Sequence, residues 1–548
     1  MTKQSNQNNN TRYSRLLIAA FVATLMLPAC VLIFTDGYSL LRALSAVLLP
    51  TGFYLLWSVA HKRSGMMVCW GLLWFILAAL QLVLLYMFGD SIVAVDMFTN
   101  LFTTNTNEAG ELLSNIWPMV MFVVVLYLPV LALAVHSLRQ GYTIAPATRR
   151  TAAKVGAAMI IASCATMQFN VFPFNVVENI YRSFDEYVKV RRYPTTSADF
   201  TFEVKHHKTT DQREIYVMVI GEAARAANWQ LYGYDRQTNP LLSAEEDVVV
   251  YKNVVTQCNA THKSVPLILS SVSADNHSEI YARRGIVQLY KEAGFRTLVV
   301  SCQAPNRGLV EQMCDEADQT IYMNGQRDGA MLEPLRKAIA ADTSDLFVVL
   351  HSYGSHFNYR ERYPDSFSHY TPDDDVSISK KNRERMVNAY DNSIVYTDWF
   401  LTELIGLLRN TNACSAMFYC ADHGEDLYDD DRGRFLHSSP TISYYQAHVA
   451  CLGWYSDKWQ EYYPDKAAAA VANTMAPAST YSVFHTVAQL ADIESKYIKD
   501  DVSLVSDDFD YSVERHYLDD HCNAQRYGDM GMREADWEQF TIKGITDL

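Results

Sequence analysis

The sequence predicts two architectures in one chain: an N-terminal α-helical membrane domain of five transmembrane helices over residues 1–170, and a C-terminal α/β sandwich over residues 214–548, with a connector at 171–213. Three observations carry that prediction. Four long apolar runs and a shorter fifth fall before residue 170. The charge divides at the same place, with ten basic residues against five acidic before it and 36 against 56 after it. Beyond residue 213, short β-branched and aromatic runs alternate with helical patterns. With 548 residues, 49% of them hydrophobic, the chain can bury more than one core, which excludes a disordered or collagen-like class.

The apolar runs are Leu16 to Phe34, Ala43 to Ala60, Met66 to Phe88, Ile116 to Val135 and Val155 to Phe169. The first four are long enough to cross a ~30 Å hydrocarbon core, and the fifth is near the limit. Lys3, Arg12, Arg15, Lys62, Arg63, Arg139, Arg149, Arg150 and Lys154 occupy the N-terminal tail and the alternate loops, whereas the opposite loops hold only Arg42. The loop from Gly89 to Asn115 has no Lys or Arg but carries Asp90, Asp96, Glu108 and Glu111. This asymmetry sets the N-terminus in the cytoplasm, and five crossings then place everything after Phe169 on the far side. Leu27-Pro-Ala-Cys30 has the look of a lipoprotein processing site, but the length of the first run and the spans that follow at once argue against cleavage.

Cys30, Cys69 and Cys164 lie in the spans, leaving Cys258, Cys302, Cys314, Cys414, Cys420, Cys451 and Cys522 in the exported half, where disulfides are permitted. Cys302 and Cys314 bracket a short polar loop and are the best candidate pair. Cys414 and Cys420 are a poorer pair, because an extended strand would hold them beyond the ~7 Å limit for a bridge. No CxxC pair is present, which argues against a structural zinc cluster.

Strands are expected at Glu214 to Gly221, Phe295 to Ser301, Asp345 to Leu350, Ser415 to Ala421 and Ala447 to Trp454. Helices are expected at Gly285 to Ala293, Ala330 to Ala341, Met386 to Leu408 and Ser482 to Ala491. The alternation implies a largely parallel sheet, whose ligands gather at the carboxyl ends of the strands. The aromatic and charged segment from Asn170 to Arg213 reads as a connector along the membrane surface.

Chemistry concentrates at those strand ends. Glu222 follows the first strand in Val219-Ile-Gly-Glu222-Ala-Ala-Arg225, and Asp422 and His423 follow a later one in Ala421-Asp-His-Gly-Glu425. Neighbouring Asp and His can reach one ion where the chain turns out of its strand, and mixed oxygen and nitrogen donors suit Zn2+ or Mn2+ better than Ca2+. Alone, Glu222 also reads as a surface carboxylate and Asp422 as a helix-start residue. Thr261, in Cys258-Asn-Ala-Thr-His-Lys-Ser264, opens an apolar stretch, where backbone N–H groups favour a phosphate and where an N-cap threonine is equally at home. His351 and His356 follow one strand and His437 lies in a loop; each alone reads as an ordinary solvated or satisfied histidine.

Taken together, these residues resemble the phosphoethanolamine transferases of Gram-negative bacteria, the group that includes the mobile colistin-resistance enzymes, within the alkaline phosphatase and sulfatase superfamily. The matching stretches are Gly221 to Arg225 with Tyr232 to Pro240, Thr261 before Ser264-Val-Pro266, Gly354-Ser-His356, Val387 to Asn392 leading to Tyr396-Thr-Asp398, and Asp422 to Glu425 followed by Leu436-His437. The resemblance implies an alkaline phosphatase/sulfatase-type catalytic domain in the periplasm, tethered to the inner membrane by the five spans. It implies Thr261 as nucleophile, with Glu222, Thr261, Asp422 and His423 holding one zinc tightly. It places His356, His437, Glu425 and Asn259 near the substrate phosphate or at a second, weaker zinc, with Mn2+ a poorer substitute. The implied donor is phosphatidylethanolamine and the implied acceptor lipid A or a core glycolipid, handled by a monomer in contact with membrane lipid and no nucleic acid. A cation-bound threonine becomes a usable nucleophile at neutral pH without a separate base.

The chain departs from the family in places. Leu267 stands where relatives carry a cysteine, Ser438 replaces a glycine, Phe357 and Asn358 replace Gly-Pro after His356, and Pro372 to Ser379 lacks a cysteine pair. These changes bear on the acceptor and on disulfides and leave the ligand set intact. A phosphoglycerol transferase or sulfatase-like hydrolase shares the same arrangement, and a membrane sensor with a degenerate hydrolase domain would be expected to have lost ligands.

Overall fold

The structure, a computed structural model, describes residues 2–89, 92–98, 110, 116–206, 208–374, 378–545 and 548. Most of the predicted acidic loop between Gly89 and Asn115 and residues 375–377 of the later acidic stretch lie outside that set. The chain divides into two compact units, one built on residues up to Ser183 and the other on those from Phe184, with the short segment Asp430–Arg434 counted in the first.

The first unit is helical. Its helices are α1 (Thr2–Thr35), α2 (Leu40–Ala60), α3 (Ser64–Trp70), α4 (Leu72–Phe88), α5 (Trp117–Arg139) and α6 (Pro146–Cys164), and α7 (Phe174–Thr196) begins there. Among the described residues three segments, Asn9–Thr35, Leu40–Ala60 and Trp117–Arg139, are long and apolar enough to cross a membrane, and a fourth arises if α3 and α4, bent by 56° at Gly71, make one span. The fifth expected span is not among them. Its helix α6 starts at Pro146, carries Arg149, Arg150 and Lys154 in its first turns and ends at Cys164, short of Phe169. The helix packs on α2 where Gly52 meets Gly156, and a Cβ on Gly52 would stand 2.7 Å from the Gly156 carbonyl oxygen. Small residues at such a crossing let two backbones approach closely. Within the unit the hydroxyls of Ser14, Ser64 and Ser137 form a buried chain, and Arg149 donates twice to the last-turn carbonyl of Val59 on α2. Helix α5 turns Met121, Phe122, Val125 and Leu128 outward and Tyr127, Val130 and Ala134 inward, the pattern of a helix with apolar surroundings on its outer face.

The second unit is built on a seven-stranded mixed sheet. Its strands are β1 (Glu214–Gly221), β2 (Val248–Val250), β3 (Arg296–Ser301), β4 (Gln319–Tyr322), β5 (Leu346–His351), β6 (Cys414–Ala421) and β7 (Cys451–Tyr455), in the spatial order β2-β7-β6-β1-β5-β3-β4. The five from β6 to β4 are parallel, and β7 runs antiparallel to both of its neighbours. Every residue of β1, β5 and β6 is buried, as strands covered on both faces must be, which is why they read as unbroken apolar runs.

The predicted strands at Glu214, Phe295, Asp345 and Ser415 are in place within a residue of their ends. Edge strands β2 and β4 escaped notice because they are short and half exposed. The expected strand from Ala447 begins only at Cys451, since Tyr444–Ala447 closes a helical turn capped by the Ser443 hydroxyl. Helices α8 (Thr261–Leu269), α9 (Ile286–Glu292), α10 (Leu309–Cys314), α11 (Leu332–Ala341), α12 (Arg383–Arg409) and α13 (Tyr481–Leu490) surround the sheet; α10 was not anticipated, and α8 starts at Thr261, where both readings of that hydroxyl have a helix begin. The Cys302–Cys314 bridge is not formed: all ten cysteines are free thiols. Helix α10 carries Cys314, while Cys302 is buried just past the end of β3.

Candidate metal and phosphate site

Parallel register brings the key residues together. Gly221 of β1 is paired with Ala421 of β6, so the residues that follow leave the sheet side by side, and the Asp422 N–H donates to the Gly221 carbonyl at 2.9 Å. Glu222, Asp422 and His423 are all fully buried at this carboxyl edge. Thr261 is the first residue of α8, with Ala260 at the capping position and no side-chain cap, so the N-cap reading of its hydroxyl does not apply. That hydroxyl instead lies 3.2 Å from Glu222 Oε1 and 3.1 Å from His423 Nε2.

The ligand atoms of Glu222, Asp422 and His423 all fall within 4.8 Å of one another. Burial pushes the His423 imidazole down to about 4, keeping it neutral and able to donate a lone pair. Two carboxylates, a neutral imidazole and a hydroxyl converging on one point fit a divalent cation that accepts nitrogen and oxygen, as zinc does. A second set, Glu222, His356 and His437, also comes within 4.8 Å and shares Glu222 with the first. The His423 and His437 rings are 4.1 Å apart and those of His356 and His437 6.0 Å apart.

Behind these residues lies a layer that holds them. Ser264 donates to Asp422 Oδ2 at 2.9 Å, and the backbone N–H groups of Ala223 and His423 donate to Oδ1 at 3.2 and 2.8 Å. His423 Nδ1 is tied to the Gly424 carbonyl, which leaves Nε2 facing Thr261. Glu425, fully buried, accepts from the Tyr359 hydroxyl at 2.6 Å and contacts His437 Nδ1 at 3.0 Å. Burial raises its carboxyl to about 7. Gln303, just past β3, donates to Glu222 Oε2 and to the Ser352 carbonyl. Arg225 of the first motif is buried, held by Asp429, and donates to the Glu425 carbonyl, so it fixes backbone.

A cavity of about 140 Å³ opens over the site, lined by Glu222, Thr261, Gln303, His351, His356 and His437 among others. Asn259 does not line it. Its amide donates to the Ser439 carbonyl and to Gln446, and its own carbonyl accepts from the Ser438 N–H, so it clamps the two loops that carry Thr261 and His437. Sequence reading missed Gln303, Tyr359 and the bond from Ser264. Ser264 alone had a signal, its fixed place three residues after Thr261.

A fold of this type with buried oxygen and nitrogen donors at the carboxyl edge of its sheet defines a class, and the comparisons agree on it. The chain belongs to the sulfatase family, whose model matches residues 214–493. Its curated relatives include the phosphoethanolamine transferase EptA of Escherichia coli (strain K12), 31% identical over 307 residues that make up 52% of this chain and 54% of that protein. The chain thus spans about half the length of the curated relatives it matches. Among solved structures, the integral membrane lipooligosaccharide phosphoethanolamine transferase A (EptA) of Neisseria meningitidis covers 89% of this chain and 98% of its own, with a TM-score of 0.72 at 20% identity, a likeness of fold. The periplasmic domain of Escherichia coli EptC, solved in complex with zinc, covers 60% of this chain and 96% of its own, with a TM-score of 0.54 at 23% identity, again a likeness of fold.

Proposed function

We propose that the chain is a zinc-dependent transferase of the Gram-negative inner membrane that moves phosphoethanolamine from phosphatidylethanolamine to lipid A or a core glycolipid, through a phosphothreonine on Thr261. The observation that carries this reading is the Thr261 hydroxyl, held at the start of α8 within 3.2 Å of both Glu222 and His423. The relatives' printed names, which specify phosphoethanolamine transfer and lipooligosaccharide, support it.

Glu222, Thr261, Asp422 and His423 would hold the zinc. When bound there, zinc lowers the pKa of the Thr261 hydroxyl and draws charge from the phosphoryl oxygens. The Thr261 oxygen forms a bond to phosphorus as the bond to the diacylglycerol oxygen breaks, and an acceptor hydroxyl then displaces Thr261 from the same phosphorus. Thr261 and His262, the first residues of α8, line the cavity, where a helix start would favour a phosphate. His356 and His437 serve the phosphoryl oxygens or a second zinc, and Glu425, itself held by Tyr359, orients His437. Asn259 positions Thr261 rather than touching substrate.

The proposed division is a membrane domain at 1–170, a connector at 171–213 and the catalytic domain at 214–548. Helix α6 makes the fifth crossing: it packs on α2, and Arg149, Arg150 and Lys154 mark its cytoplasmic end. An odd number of crossings leaves the N-terminus in the cytoplasm and the catalytic domain in the periplasm.

Thr261→Ala is expected to abolish transfer while the melting midpoint of the protein stays within a few degrees. The readout is the mass of lipid A and core oligosaccharide from a deletion strain carrying either form. Lipid modification retained by the variant would refute the assignment of Thr261, and a gain of phosphoglycerol rather than phosphoethanolamine in the wild type would refute the group transferred.

A further inference from the structure

Cys420 and Cys451 face each other across β6 and β7, paired in register on adjacent antiparallel strands. The neighbouring pair, Ala421 and Ala450, is joined by a backbone hydrogen bond, whereas the Cys451 N–H donates instead to the Tyr232 hydroxyl at 2.7 Å. Cys420 and Cys451 are therefore a non-hydrogen-bonded pair, the kind in which opposed Cα atoms stand about 4.5 Å apart and side chains approach most closely. That spacing is inside the range a disulfide spans. The Cys420 thiol donates to the Ala421 carbonyl at 3.4 Å. Both thiols are buried. Buried thiols commonly act as small apolar residues, but the catalytic domain is read here as exported, and that compartment favours the bridge.

We propose that Cys420 and Cys451 form a disulfide that closes the loop carrying Asp422, His423, Glu425 and His437. This rests on the export of the catalytic domain proposed above. The two thiols each give up a proton and together give two electrons to a disulfide of an oxidising protein in that compartment. A sulfur–sulfur bond forms between Cys420 and Cys451 as the oxidant's own bond opens to two thiols. Since both side chains are shut away in the finished sheet, the exchange takes place while β7 is docking on β6. Four of the site's residues then hang from one covalently closed segment whose ends are fixed in the sheet. Cys414 lies beside Tyr216 at the other end of β6.

The test uses the full-length chain purified from an exporting host. The protein is unfolded without reductant and alkylated with N-ethylmaleimide, then reduced and treated with iodoacetamide before peptide mass spectrometry. Cys420 and Cys451 are expected to carry only the second label, and a Cys451→Ala variant is expected to expose Cys420 to the first. Reduction should lower the melting midpoint of the wild type by roughly 5–10 °C and leave the Cys420→Ala/Cys451→Ala double variant unmoved. First-label alkylation of both cysteines, in a protein whose phosphatase fusion after Thr196 is active, overturns the bridge alone. The same alkylation with an inactive fusion overturns the export of the domain, and the bridge with it.

Discussion

Glu214 opens β1 with its carboxylate in a fully buried place, where the hydroxyls of Tyr216 and Tyr463 donate to one oxygen and the other has no partner among the described residues. Burial raises this carboxyl to about 7. A carboxyl raised in the folded state is protonated there at pH values where the unfolded chain has already lost the proton. Its contribution to stability is full below about pH 4.5 and is lost as the pH rises through about 7. Glu214→Gln, which keeps an oxygen for the two tyrosines, is expected to stabilise the protein at pH 8 by on the order of 1–3 kcal/mol and by much less at pH 5. Urea midpoints measured at the two pH values check this, and an equal shift at both would contradict it. The buried histidines outside the site act in the opposite sense. His448, lowered to about 4, and His485, to about 3, stay neutral in the folded protein, so stability falls as the pH drops below about 6.5.

At the scale of elements, the site depends on loops that leave parallel strands with almost no clearance. Gly354, in the turn after β5, has φ +54°, and a Cβ there would come within 2.6 Å of the Glu222 carbonyl oxygen and 2.9 Å of its nitrogen. Both the left-handed backbone and the close approach demand glycine. Gly354→Ala is expected to displace the Glu222 backbone, weakening zinc binding by ten- to a hundredfold and costing about 1–3 kcal/mol of stability. Competition with a chromophoric chelator measures the first and thermal unfolding the second; unchanged zinc affinity would show that Glu222 does not hold the metal. In the helical unit, the Gly52–Gly156 crossing plays a comparable part for α2 and α6. Gly156→Leu is expected to prise those helices apart and lower the yield of folded protein in membranes.

For the whole molecule, the question is how many times the chain crosses the bilayer. Among the described residues three helices, or four with the bent pair, satisfy length and apolarity, and four crossings would return the second unit to the side of the N-terminus. Phosphatase fusions distinguish the cases: activity is expected after Gly37 and Thr196 and none after Arg63 or Arg150. An inactive fusion at Thr196 would mean an even number of crossings. Charge bears on the same scale, since the excess of acidic residues falls in the second half of the chain. That half cannot gather phosphate with a general basic surface, so under the proposed function the attraction would come from a local cation.

Much of this was legible without coordinates. The strands ending at Gly221 and Ala421 follow from local pattern, α12 follows from its long helical period, and the motifs after the strands and the threonine at 261 stood out through the family resemblance. The second layer was not. Gln303 reaches Glu222 across 81 residues of sequence and Tyr359 reaches Glu425 across 66, and neither sits in a motif that marks it. The cysteines show the same limit, because spacing along the chain suggested Cys302 with Cys314, whereas strand register brought Cys420 to Cys451. By itself the sequence determined the partition into an apolar helical half and an acidic α/β half, since the length of an apolar run and the placement of charges are properties of the chain taken in order. Only the tertiary structure decided which donors converge. Glu222 and His423 lie far apart in the chain and meet at 3.4 Å because β1 and β6 are hydrogen-bonded side by side, and a pairing between distant strands leaves no trace in either strand alone.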